Sequence, residues 1–495
     1  IMVEPSQLKI SKFLQSDRVT FKGLEKENLR SDKEGKISNK NFPDAFGVHN
    51  YNRYITLDYS EPHLEIVTPP FEDNLALFGF LNDLHAYVEN NLDGDLLWNY
   101  SMPPKFKSKY IKLPPHGETN KTKLAHLYRL GLRNRYGDKM QSTAGIHFNF
   151  SFSESAISSI GCEKTDLYLG TCRNFLRIFP MILRLMGCSP IAHKSFLKGR
   201  SINIEKLNEE DCYLPKSTSM RVSRLGYYSE EQDENFITFN TLEDYLGTIK
   251  NYINTPNSKF KDISLDLKQQ VNNGTIQMES ELYNHIRPKG IISKNIRAYS
   301  QLKESGIEYL EIRSIDLNPY SDTGISVEDI EFLELVSLYC ALSDSPLIDD
   351  IESSHIKENI RRSSESGQNC NFICSFNGKK GEESAKKLTA DFLDKLRVFA
   401  EQIEATGNKE KMFKEFFNRN EVTLSTRFIN DVKKVGAAIP LILEKSKISE
   451  KSVSSDNLSL FKKEQELSEK QYLSEKNEDK LLFEEYLENF RRELR

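Results

Sequence analysis

Gly23-Leu24-Glu25-Lys26-Glu27-Asn28-Leu29-Arg30 sets two carboxylates two residues apart, the repeat of a β-strand. Successive strand side chains point to opposite faces, so Glu25 and Glu27 share one face. Gly306-Ile307-Glu308-Tyr309-Leu310-Glu311-Ile312-Arg313 repeats the device, with Glu311 and Arg313 on a common face. Between them, Gly145-Ile146-His147-Phe148-Asn149-Phe150-Ser151-Phe152-Ser153 is the clearest strand of the chain. Ile146, Phe148, Phe150 and Phe152 take one of its faces, and His147, Asn149, Ser151 and Ser153 the other. A half-buried strand on an open surface alternates in the same way, so the pattern leaves its polar face undecided between solvent and a site.

Outward from these strands the periodicity changes. Residues 1 to 20 read as a short leading helix. Tyr54–Asp58 and Leu64–Thr68 read as strands that stop at Pro69-Pro70, and Phe71–Asn91 as an amphipathic helix. A loop rich in Pro and Lys follows from Met102 to Gly117. Lys123–Tyr136 is a helix with Gly137 at its end. Further helices are expected at 163–187, 240–254, Val327–Leu342 and Ala385–Ile403, and strands at Ile276–Tyr283 and Ile307–Ile315. Strands and helices without a regular alternation, and without a Gly-rich phosphate loop, point to an α+β fold over a doubly wound sheet.

With 495 residues, the chain can enclose a large core. Hydrophobic residues make up 38% and charged residues 28%, which fits a polar-surfaced chain carrying an extended charged segment. That segment is the tail from Ser446 to Arg495, dominated by Lys, Glu and Ser. It is expected to be a charged helix partly docked on a body of residues 1–445, with a mobile piece around Ser449–Asn457; a coiled-coil partner site is the sharper alternative. A net charge of −5, mixed in sign, gives no reason to expect nucleic acid or an anionic membrane as partner. No apolar run approaches the ~20 residues of a spanning helix. Ile1–Arg18 lacks an apolar core with a small-residue cleavage site, which argues against secretion. Seven scattered cysteines suit buried thiols in a reducing compartment. Cys370-x-x-x-Cys374 is the one close pair, and without a neighbouring His or second pair it is a weak metal or redox candidate.

The chemistry gathers on the acids. Asp58-Tyr59-Ser60-Glu61-Pro62-His63-Leu64-Glu65 places two more carboxylates at the ends of a bend between strands. A Glu-x-Glu strand is most often a solvated face. With Glu25, Glu27, Asp58, Glu65 and Glu311 in one face's company, the pattern instead suggests Mg²⁺, which takes hard oxygen ligands and completes its shell with water and phosphate. Arg313 would then face a transferred phosphoryl group. Without metal, mutual repulsion is expected to raise several of the acids' pKa values. His147 alone is weak evidence, but beside Glu25 and Glu311 it could complete a mixed nitrogen–oxygen site.

These residues also resemble a known family. Gly23–Arg30, Tyr54–Pro69, Leu127–Gly137, Met140–Ser151, Ser219–Gly226, Glu279–Lys289 and Gly306–Pro319 are similar, collinearly, to the proteobacterial-type glutamate–cysteine ligases. Strings such as Tyr128-Arg129…Gly131-Leu132…Asn134-Arg135-Tyr136-Gly137 and Glu281-Leu282-Tyr283…Ile286-Arg287-Pro288-Lys289 carry the match, which spans about Gly23 to Pro346. The resemblance implies a glutamine-synthetase-like fold, a curved antiparallel sheet forming a funnel with helices outside. It implies ATP-dependent joining of the γ-carboxylate of L-glutamate to the amine of L-cysteine through γ-glutamyl phosphate, the first step of glutathione synthesis.

Position by position, the resemblance implies Glu27, Asp58 and Glu65 as ligands of the ion nearest glutamate. Glu25, His147 and Glu311 would hold the ion that bridges ATP phosphates, Mg²⁺ or Mn²⁺. Arg313, with Glu27 and Glu65, would serve the chemical step. Arg221 would anchor the glutamate α-carboxylate, with Thr143 and Asn149 close by. Tyr59, Tyr128, Leu132, Tyr227 and Tyr283 would wall the cysteine pocket, rings against CH₂SH and hydroxyls toward its carboxylate. The family further implies a cytoplasmic, monomeric enzyme open to feedback inhibition by glutathione.

The chain departs from the family pattern at Lys26 and Asn28, on the face opposite the carboxylates, and at Tyr59, where Phe is commoner. Residues 200–215 and 350–430 align loosely, and the tail matches nothing. Three other readings compete: a ligase of the same fold using a different amine, a non-catalytic scaffold that kept the fold, and a Mg²⁺-dependent phosphohydrolase.

Overall fold

The structure is a computed structural model that describes residues 3–200, 204–234, 236–291, 296–376, 379–447 and 452–495. Its strands in chain order are β1 (Thr20–Ser31), β2 (Ile55–Leu57), β3 (His63–Val67), β4 (Leu96–Leu97), β5 (Gly145–Phe152), β6 (Ile191–His193), β7 (Glu205–Lys206), β8 (Asp211–Tyr213), β9 (Ile286–Lys289), β10 (Tyr309–Asp316), β11 (Asn371–Phe376) and β12 (Lys379–Ser384). Seven of them form one antiparallel sheet in the order β2-β3-β1-β5-β10-β9, with β4 paired to the end of β1.

The phenylalanine face of β5 is sealed. Ile146, Phe148, Phe150 and Phe152 are each at most 4% exposed, under the helix Lys164–Met186 and its neighbours. On the other face, His147 lines a cavity together with Glu27 of the neighbouring β1, and the ambiguity of the sequence pattern is resolved in favour of a site.

The buried face of β1 is unusual in carrying Lys26, Asn28 and Arg30, all fully buried. Arg30 pairs with Asp95 at 3.3 Å and donates to three backbone carbonyls, and Asn28 donates to the Trp98 carbonyl at 3.0 Å. Lys26 Nζ has no hydrogen-bond partner, and burial pushes its ammonium down to about 7.

One expectation is corrected. Ile276–Tyr283 is a loop with a short 3₁₀ turn at Glu279–Glu281, not a strand. The buried Glu281 carboxylate accepts from Arg135 at 3.0 Å, the Tyr136 hydroxyl at 2.7 Å and the Gln277 N–H at 2.8 Å, so side chains satisfy a backbone that no ladder reaches. The strand lies just beyond, as β9, which tolerates Pro288 because it is the sheet edge. The helix Asp350–Ser366, the hairpin β11–β12 and three further helices between Lys409 and Ser446 were not anticipated, their apolar stripes being masked by abundant charge.

The tail forms two helices, Ser455–Glu478 and Phe483–Arg492. Phe461 is 1% exposed against Tyr54, Phe80 and Tyr87, and the buried Glu464 pairs with Arg53 at 2.6 Å. Leu487 packs with Leu124 and Leu127 on the helix Asn120–Tyr136. Of the segment expected to be mobile, residues 449–451 lie outside the described residues, while Asn457 already donates to Asp83 at 2.8 Å within the first of these helices. No helix among the described residues is long and apolar enough to cross a membrane.

Candidate active site

Register brings the acids together. Across the concave face, Glu65 of β3 lies opposite Glu27 of β1, Glu25 opposite His147 of β5, Asn149 opposite Glu311 of β10, and Glu311 opposite Arg287 of β9. Cross-strand partners share a face at about 4.5–5.5 Å between Cβ atoms, so distant segments form one charged row. His147, 4% exposed, is its centre. Its Nδ1 lies 3.1 Å from Glu25 Oε2 and 3.9 Å from Glu311 Oε1, and its Nε2 lies 3.4 Å from Glu27 Oε1.

The remaining oxygens are served unequally. Glu25 accepts from Asn149 Nδ2 at 2.8 Å, and Glu27 from the Gly145 N–H at 2.8 Å. Glu311 accepts from Arg313 Nη1 at 2.6 Å, with Lys289 Nζ at 3.4 Å. The Glu65 side chain has no hydrogen bond or ion pair among the described residues. Burial pushes its carboxyl well up, and the charges of Glu25, Asp58, Glu27 and Glu311 push it further. Asp58, at the cavity wall, is raised by lost hydration and then by Glu27.

The rise expected for several of these acids is found at Glu65 and Asp58, with burial as its larger cause, and not at the other three. Against the desolvation that would lift them, Glu311 is held well below its usual range by Lys289, Arg313 and His147. Glu27 is held down by His147, Arg221 and His63, and Glu25, which also feels Glu311, by its hydrogen bond to His147. Cations from other strands offset part of the crowding, and Glu65 carries what is left.

The donor set fits a divalent ion. Ligand atoms of Glu25, Glu65 and His147 all lie within 4.8 Å of one another, and among the described residues no other group of three such side chains does so. Glu65 thus stands with Glu25 and His147 as well as with Glu27. All seven cysteines are free thiols.

A cavity of about 320 Å³ opens on this row, lined by Glu27, Asp58, Thr143, His147, Arg221, Arg313, Tyr227 and Tyr283. Arg221 is 5% exposed, with Nη1 4.0 Å from Asp316 Oδ1 and Nε unpartnered; the Thr143 hydroxyl is unpartnered too. The Arg221 guanidinium lies flat against Gly145, where a Cβ would come within 2.2 Å of its Cζ. Tyr227 and Tyr283 meet edge to face, centroids 4.2 Å apart, and Gln141 Nε2 donates to the Tyr283 hydroxyl at 3.0 Å. Tyr59 and Leu132 pack in one apolar cluster with Tyr128 at its border. The Tyr59 hydroxyl donates to Asp138 at 2.6 Å, and Tyr59, Tyr128 and Leu132 are not among the residues that line the cavity.

Several working residues carried no legible signal as such. Arg129 donates to the carbonyls of Asp58 and Leu57, both at 2.9 Å, and so pins the β2–β3 bend from a helix seventy residues away in sequence. Arg129 and Lys289 both sit inside strings that marked the family resemblance, but their charge acquires a purpose only beside its partner.

Comparison with known proteins bears on the same residues. Residues 7–363 match the family described as glutamate–cysteine ligase. The chain is 35% identical over 498 residues to the glutamate–cysteine ligase of Wigglesworthia glossinidia brevipalpis, covering 94% of this chain and 97% of that one. It is 33% identical over 500 residues to that of Aliivibrio salmonicida, covering 95% of each. A crystal structure of glutamate–cysteine ligase from Francisella tularensis in complex with AMP is similar with a TM-score of 0.90 at 25% identity, over 96% of this chain and 98% of that one. A bifunctional glutathione synthetase from Pasteurella multocida shares the fold at a TM-score of 0.69 and 23% identity, over 92% of this chain and 54% of that chain.

Proposed function

Because the chain belongs to the glutamate–cysteine ligase family, we propose that its charged row and cavity bind the three reactants of γ-glutamylcysteine formation side by side. The fold is the glutamine-synthetase-like α+β architecture, and the activity is the ATP-dependent ligation of L-glutamate to L-cysteine. A carboxylate is a poor electrophile, so the γ-carboxylate attacks the γ-phosphorus of ATP, ADP leaves, and γ-glutamyl phosphate forms. The cysteine amine, having lost a proton, then displaces phosphate through a tetrahedral intermediate.

In this reading Arg221 holds the glutamate α-carboxylate through a bidentate pair, with Thr143 and Asn149 beside it. Arg313 faces the transferred phosphoryl. Tyr227, Tyr283, Tyr128, Tyr59 and Leu132 wall the slot for the cysteine side chain. Glu25, Glu27, Asp58, Glu65, His147 and Glu311 would hold Mg²⁺ or Mn²⁺, which when bound supplies positive charge to the phosphates. The supporting observation is Glu65: a carboxylate set among four others, with no ion pair or side-chain hydrogen bond of its own among the described residues, is a group built for a cation that arrives with substrate. The reading extends to a cytoplasmic monomer inhibited by glutathione.

The test is ADP release by the purified chain with Mg²⁺, glutamate and a panel of amines. Cysteine should show the highest kcat/KM by at least an order of magnitude. A better amine would make it a different ligase, and equal turnover without amino acids would make it a phosphohydrolase.

Two variants check the subsites. Gly145→Ala should force the Arg221 guanidinium aside at little cost in folding, since the atoms met are the tip of a flexible chain. A charge-assisted contact contributes about 1.5–3 kcal/mol, so KM for glutamate should rise about ten- to a hundredfold with the melting midpoint little changed. An unchanged KM would remove Arg221 from the glutamate subsite. Tyr227→Ala should raise KM for cysteine more than that for glutamate, and the reverse ranking would mean the slot is misplaced.

A further inference from the structure

We propose that Asp316 is the positioning residue for Arg221, and so a determinant of glutamate binding that acts without touching substrate. The proposal rests on the reading above that Arg221 holds the glutamate α-carboxylate. Strand parity alone would send Asp316 into the core beside Leu310 and Ile312. The register between β10 and β5 prevents this. Ile312 lies opposite Phe148 but Ile315 opposite Ile146, so two residues, Arg313 and Ser314, stand against one, His147. Beyond this bulge Asp316 lies opposite Gly145, on the face that Gly145 shares with His147 and Asn149.

There it meets Arg221. The guanidinium lies against Gly145, so a single rung supplies both its floor and its counter-charge. Asp316 Oδ1 lies 4.0 Å from Arg221 Nη1, and among the described residues Arg221 has no other ion pair. Oδ2 is clamped by the Ser189 hydroxyl at 2.7 Å and the Cys188 N–H at 3.0 Å, which fixes the direction of the carboxylate. Oδ1 and Arg221 Nε are both left without hydrogen-bond partners. At this separation the attraction orients the guanidinium without consuming its donors, which stay available to a ligand. An opposing pull comes from Glu27, whose carboxyl the charge of Arg221 helps to hold down. Without Asp316, the guanidinium would be drawn toward that acid and away from the glutamate subsite. The alternative is that Asp316 only ties β10 to the Cys188–Ser189 backbone.

The two roles separate in a double-mutant cycle on the full chain with Asp316→Asn, Arg221→Met and both together. The readout is KM for glutamate, or its Kd by calorimetry where turnover is too slow. Asp316→Asn keeps the shape and an acceptor for Ser189 and Cys188, and removes the charge. It should raise KM for glutamate about tenfold, a coupling typical of residues in one ion-pair network. KM for cysteine, and kcat at saturating glutamate, should stay within about twofold, the mark of lost binding and not of lost chemistry. In the Arg221→Met background the same change should add no more than about twofold. If Asp316→Asn does not fold, Asp316→Ser carries the same comparison, with melting midpoints recorded for every variant. An equal rise in both backgrounds would make Asp316 a structural tie, and an unchanged or lower KM would leave Arg221 positioned without it; either overturns the proposal. An Arg221→Met variant with the parent's KM for glutamate would instead strike the glutamate-subsite reading itself.

Discussion

Arg313→Met is expected to lower kcat about 10³–10⁵-fold, the range of a guanidinium that neutralises a transferring phosphoryl group, while KM for cysteine stays within about threefold. Arg313 lines the cavity and is held by Glu311 at 2.6 Å. Against its burial, the charge of Glu311 and the Tyr227 phenol keep it protonated at every pH of interest. Its charge is therefore fixed before substrate arrives, which makes stabilisation of the transition state cheap in reorganisation. Methionine keeps much of the volume and removes only the cation, leaving Lys289 at 3.4 Å to hold Glu311. Arg313→Lys should recover part of the loss, since it restores charge without the planar fork. Single-turnover formation of ADP and of acid-labile phosphate reads the first half-reaction directly. A kcat within about tenfold of the parent would place the phosphoryl group elsewhere.

Glu65→Gln is expected to do two opposite things. Turnover should fall by at least about a hundredfold, because a ligand charge is gone where a metal ion lends several kcal/mol to the transition state. The metal-free protein should become more stable by about 1–3 kcal/mol, the usual penalty of a buried polar group left without a partner. The sign follows from the direction of its shift. A carboxyl whose folded pKa is raised above its unfolded value opposes folding at neutral pH, and the opposition disappears as the pH falls through the raised value. The variant's advantage should therefore be largest at the alkaline end of the range, shrink as the pH falls below the raised value, and vanish below the ordinary carboxylate pKa of about 4.3. Saturating Mg²⁺ should erase or reverse it. Denaturant midpoints with and without Mg²⁺ across that range test this, and a variant less stable than its parent without metal would show that Glu65 has a partner of its own.

Much of this was legible as one-dimensional pattern. The period-2 repeats around Glu25, His147 and Glu311 announced strands and told which residues share a face, because side-chain direction in a strand depends only on the parity of position. The ordered family strings named the reaction. Pattern misled where satisfaction was non-local: Ile276–Tyr283 looked like a strand, yet its Gln277 and Glu281 side chains bond to Tyr128, Arg135 and Tyr136, far away in sequence. The tail read as a charged helix partly docked on the body, but which groups dock it was not legible; Phe461 and Glu464 are among its most enclosed.

Parity, then, was readable from the letters, and register was not. Whether Glu65 would lie opposite Glu27 or one rung away depends on pairings between segments dozens to hundreds of residues apart. So does the difference between Glu311, which pairs with Lys289 and Arg313, and Glu65, whose side chain makes no ion pair and feels the charges of Glu25, Asp58, Glu27 and Glu311. Electrostatic interaction depends on distance in space, and chain folding sets that distance with almost no memory of separation along the sequence.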